Sequence, residues 1–65
     1  MSGAEFKAAR LASGLTLKTL SETASVNIRQ IQKIEAGEIK LENITLVNAA
    51  RIAAALGLEI VDLLQ

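Results

Sequence analysis

The chain has 65 residues, 51% of them hydrophobic and only 2% aromatic, and its seven basic and seven acidic side chains leave a formal net charge of +0. With no cysteine, histidine or proline, disulfides and thiolate or imidazole metal sites are excluded, and so small a core depends on efficient helix packing. No apolar run approaches the ~18 to 20 residues that cross a bilayer and the first residues lack a signal peptide's apolar stretch, so a cytoplasmic protein with no membrane segment is expected.

A first helix is predicted to start after Ser2, where Ser2-Gly3-Ala4-Glu5 forms a capping box, and to run to Ser13 with Phe6, Ala9 and Leu11 inward; Gly14 stops it. Thr16 caps a second helix, because its hydroxyl can accept from a first-turn amide, and Leu17, Leu20 and Ala24 form its apolar stripe. Asn27 caps a third, with Val26, Ile31 and Ile34 as the apolar set. Gln30, three residues after Asn27, completes a capping-box pattern, and Gly37 supplies the left-handed residue that ends many helices. Only Ser25 and Val26 remain for the turn. Two helices joined this tightly, with small side chains at Ser21 and Ala24, must cross steeply, as in a helix-turn-helix. The connection EIKLENI then leads to a fourth helix from about Thr45 to Leu56, closed by Gly57, with Leu46, Ala49, Ile52, Ala53 and Leu56 inward. A last short helix, from about Glu59 to Leu64, packs Ile60 and either Leu63 or Leu64 on the bundle. Strand-type alternation is absent, so the expected fold is all-α, a five-helix bundle forming a single domain over residues 1–65.

With Ile31 and Ile34 given to the core, Ile28, Arg29, Gln32 and Lys33 share the outward face of the third helix, headed by Asn27. These five are the candidate base-contacting residues for double-stranded DNA. Arg29 suits bidentate donation to guanine O6 and N7, Gln32 an adenine edge, and Ile28 a thymine methyl, while Lys33 suits a guanine or a phosphate. The plainer reading is a solvated helix face, with Ile28 stapled to a neighbouring helix. Phosphate contacts fall to the helix starts, where free amides and the helix dipole favour an anion: Thr16 with the Leu17 amide, and Asn27 with the amides after it. Lys18, Gln30 and Lys40 are the side-chain helpers.

Over essentially its whole length the chain resembles the phage repressor and Cro-type (XRE-type) helix-turn-helix family. The resemblance rests on Arg10, Gly14-Leu15-Thr16, Leu20, Val26, Ile31, Ile34-Glu35-Ala36-Gly37 and Ala53-Ala54-Ala55-Leu56-Gly57. It implies a transcriptional regulator, repressor-like, that reads the major groove with residues 28–36. It also implies a structural ion pair between Arg10 and Glu35; two unrelated surface charges are the alternative. The chain departs from the family pattern at Leu17, where many members carry glutamine, and at Ser25, where the turn commonly carries glycine.

Zero net charge does not favour a polyanion, but its distribution matters. From Met1 to Gly37 five basic residues face three acidic ones, a net of +2, which leaves −2 for the remainder. This implies modest affinity per monomer and a shallow salt dependence, and argues for a homodimer with recognition helices about 34 Å apart on a palindromic operator. Ile39, Leu41 and Ile44 are one candidate interface and the outward side of Glu59 to Gln65 another, unless these residues line the core. A competing reading is a protein-interaction module, an antitoxin or a repressor partner with weak DNA binding, whose partner is a toxin or another regulator. Without histidine or cysteine, and with no carboxylate pair converging on a cleft, neither an enzyme nor a cofactor is expected.

Overall fold

The computed structural model describes residues 1–65 and contains five helices and no strand: α1 (Gly3–Ala12), α2 (Leu17–Ala24), α3 (Ile28–Glu35), α4 (Leu46–Leu56) and α5 (Ile60–Leu64). A single 3-10 turn, Leu41–Asn43, lies between α3 and α4. Side-chain caps set most of the boundaries. Ser2 Oγ accepts from the Glu5 amide at 3.1 Å while the Ser2 amide donates to Glu5 Oε1 at 2.7 Å, closing the expected box. Donation from the Ser2 amide, with help from its hydroxyl, holds the Glu5 carboxyl below the usual carboxylate range. Thr16 forms a second box with Thr19, and Thr45 Oγ1 accepts from the Asn48 amide at 3.1 Å to start α4. Gly57, left-handed at φ 71°, ends α4 and turns the chain back into α5.

Every helix contributes to one core. The fully buried side chains are Phe6 from α1, Leu20 from α2, Ile31 and Ile34 from α3, Ile52 from α4 and Leu63 from α5. Spacing of three and four residues had placed most of these correctly. Two expectations about the core need correcting. Leu11 is 58% exposed, because the buried stripe of α1 runs through Phe6 and Arg10, one turn apart, and Leu11 lies to the side of it. Leu46 is 72% exposed: as the first residue of α4 it projects back past the edge of the core. Of the two readings open for Ile39, Leu41 and Ile44, core lining is the one observed, with Leu41 buried and the other two packed partly against the same cluster. The choice left open in α5 resolves to Leu63 inward and Leu64 outward.

Helix α1 starts directly against the last turn of α3. A Cβ added to Gly3 would lie 2.5 Å from the Ile34 carbonyl oxygen and 2.8 Å from that of Glu35, so the approach requires a residue without a side chain. A shallow cavity of about 290 Å³ opens beside this contact, floored by Ile34, Ile39 and Leu41.

Candidate nucleic-acid interface

The unit that positions the candidate site is α2, the turn and α3. Ser25 adopts the left-handed conformation at φ 56°, ψ 43°, the only non-glycine residue of the chain with positive φ. That costs on the order of 1 kcal/mol against glycine, and local bonds offset it. The Val26 amide donates to Ser21 O at 3.1 Å and Ser21 Oγ donates to Val26 O at 2.6 Å, so one small side chain in α2 clasps the turn. Val26 is buried beneath it. The chain then enters α3 at Asn27, whose Oδ1 accepts from the Arg29 amide at 2.8 Å.

From this start α3 divides into two faces. Ile31 and Ile34 are buried, whereas Arg29, Gln32 and Lys33 are exposed and Ile28 sits at the margin, 36% exposed. Helix α3 ends at Glu35 with Ala36 as its cap, one residue short of the expected span. The single ion pair of the molecule is Arg10–Glu35, so Arg29 and Lys33 keep all their donors, and Gln32 makes no side-chain bond within the chain. Asn27 has committed Oδ1 to its cap and retains its NH2.

The opposite end of α3 is held by that ion pair. Arg10 Nε donates to Glu35 Oε2 at 2.6 Å and Nη2 to Oε1 at 3.2 Å, a bidentate fork, while Nη1 donates to Leu15 O at 2.8 Å. The side chains are 7% and 10% exposed. Hydrogen bonding to Glu35 raises the arginine pKa still further, against the opposing effect of burial, so the guanidinium stays charged. One side chain thus joins α1, the α1–α2 loop and the last turn of α3.

At the start of α2 the Thr16 hydroxyl is engaged with Thr19, which the sequence reading did not foresee, and the Leu17 and Lys18 amides have no partner. Leu17 leans its side chain on the core, so only its amide is available to an anion. Lys18 and Lys40 are exposed and unpaired. Gln30 departs from expectation. It forms no capping box, because its Oε1 accepts from Asn48 Nδ2 of α4 at 3.0 Å instead of reaching back to the Asn27 amide. Asn48 was not foreseen, since a contact across 18 positions leaves no periodic trace in the sequence.

Two short helices crossing at a tight turn, the second anchored by one face and bearing a free polar face, define a helix-turn-helix DNA-binding module. Comparison with known proteins agrees. A helix-turn-helix family model matches residues 6–63, so the chain belongs to the XRE-type helix-turn-helix family. Its fold is also that of the restriction-modification controller protein C.AhdI from Aeromonas hydrophila, with a TM-score of 0.80 and 30% identity over 94% of this chain and 88% of that one. No curated protein matches. The chain is a sequence-specific DNA-binding transcriptional regulator.

Proposed function

We propose that this regulator acts as a repressor whose α3 enters the major groove, with Arg29 donating to a guanine edge, Gln32 to an adenine, and Ile28 against a thymine methyl. Lys33 takes a neighbouring guanine or a phosphate, and the free NH2 of Asn27 reaches the first base or its phosphate. Thr16, the Leu17 amide, Lys18, Gln30 and Lys40 grip the flanking backbone. The observation that carries this reading is the combination of exposure and lack of partners at Arg29, Gln32 and Lys33 on a helix whose other face is locked in the core. A cytoplasmic location suits this role, and no helix is long and apolar enough to cross a membrane. The work proposed is binding alone, with no catalytic step.

Selection from a randomised duplex pool at low salt tests the reading directly. Wild type should enrich a palindrome, and Arg29→Ala should weaken binding by about 1 to 3 kcal/mol while relaxing preference at one base pair per half-site. A uniform loss across all sequences would move Arg29 from base to phosphate. If wild type enriches nothing, the interaction-module reading, an antitoxin or repressor partner, takes its place.

The palindrome follows from a homodimer. With Ile39, Leu41 and Ile44 spent on the core, the outward side of α5 is the remaining candidate surface, where Val61 is 55% and Leu64 46% exposed. The protein measures 22 × 21 × 20 Å, so two copies side by side are wide enough to set recognition helices about 34 Å apart. Sedimentation equilibrium should give a dimer for wild type and, for Val61→Asp/Leu64→Asp, a monomer that keeps the helical circular-dichroism spectrum of wild type. A wild-type monomer at millimolar concentration would remove the dimer.

A further inference from the structure

We propose that Asn48 of α4 is a positioning residue for DNA binding: by donating to Gln30 Oε1 it fixes which end of the Gln30 amide faces the nucleic acid. The proposal rests on the reading of Gln30 as a phosphate-contacting residue. A glutamine amide has one accepting and one donating end, and a phosphate can be met only by the donating end. The Asn48 Nδ2 to Gln30 Oε1 bond, 3.0 Å long and partly buried, takes up the accepting end. Gln30 Nε2 has no partner within the chain, yet no buried side-chain nitrogen or oxygen lacks one; the Gln30 NH2 therefore reaches solvent. It does so in the first turn of α3, where the dipole favours an anion.

Asn48 is itself held in place. Its amide is capped by Thr45 Oγ1 at 3.1 Å and it lies in the first turn of α4, so the position of the side chain follows from the start of that helix. Without Asn48 the Gln30 amide is free to rotate, so its oxygen as well as its NH2 can face the phosphate. The effect on DNA then arises entirely through Gln30, with no contact from Asn48 to the duplex.

A double-mutant cycle on binding to a 20-base-pair duplex tests this. Gln30→Ala should weaken binding about three- to tenfold, as expected for one hydrogen bond, and Asn48→Ala by a smaller factor. The double variant should bind no more weakly than Gln30→Ala alone. Alanine favours helix at this half-buried site, so Asn48→Ala should keep its melting temperature. Asn48→Asp gives an independent reading, since an aspartate only accepts and turns the Gln30 NH2 inward. Its loss should be larger with Gln30 present than in the Gln30→Ala background, where charge repulsion alone remains. Losses that multiply in the double variant would mean that Asn48 touches the phosphate itself, and a neutral Asn48→Ala would mean that Gln30 needs no positioning; either overturns the proposal. A neutral Gln30→Ala would overturn it together with the phosphate role of Gln30.

Discussion

Arg10→Met is expected to destabilise the protein by about 3 to 5 kcal/mol, because it leaves the Glu35 carboxylate, 10% exposed, without its counter-charge. A chain of this length has a total stability of roughly 3 to 10 kcal/mol, so the loss is a large share of the whole and the variant should melt far below wild type. Thermal unfolding followed by circular dichroism measures this, and the decisive comparison is the double variant Arg10→Met/Glu35→Met. Removing both charges restores an apolar contact of similar volume and should recover most of the lost stability, since a buried pair stabilises little beyond the penalty of breaking it. What remains lost reflects the Leu15 carbonyl, which accepts from Arg10 Nη1 and would turn to water. A single variant that melts within a few degrees of wild type would show that the pair behaves as an exposed one, worth under ~1 kcal/mol. Glu35 is the last residue of α3, so the link through Arg10 ties to α1 a helix end that is closed locally by left-handed Gly37, where the Gly37 amide donates to Ile34 O at 3.1 Å and the Glu38 amide to Lys33 O at 2.9 Å.

Phe6→Ala should be as damaging for a different reason. Phe6 is the single phenylalanine of a chain without tryptophan or tyrosine, and it is completely buried. Truncation removes its apolar area and leaves a cavity that five short helices cannot close, a loss of about 3 to 5 kcal/mol. Denaturant unfolding of Phe6→Ala beside Phe6→Leu separates volume from shape: the leucine variant should lose less than half as much. Equal losses would mean that the site demands an aromatic ring. The same core makes α3 a rigid element. Ile31 and Ile34 are both fully enclosed, and α1 abuts the helix end through Gly3 and Arg10, so the exposed face is presented on a fixed support.

Much of this was legible in the sequence because it is local. Caps at Ser2, Thr16, Asn27 and Thr45 lie within three residues of the amides they satisfy, and stripes such as Leu20–Ala24 or Ile31–Ile34 are written in a period of three to four. Those signals determine helix number, helix limits to within a residue or so, and which face of α3 is left exposed. Tertiary packing decided what local spacing left open. The amphipathic period admits either Arg10 or Leu11 on the inner edge of α1, and only the presence of Glu35 opposite places the arginine inside and leaves the leucine in water. Likewise Ile39, Leu41 and Ile44 read as spare apolar surface until the turn at Leu41–Asn43 folds them onto the core. Gln30 shows the limit most clearly. Its spacing from Asn27 fits a capping box, yet the partner it takes is Asn48, brought alongside by the packing of helices distant in sequence. Hydrogen-bond choice between near and far partners is settled by the geometry of the assembled fold, and one strand of sequence does not record it.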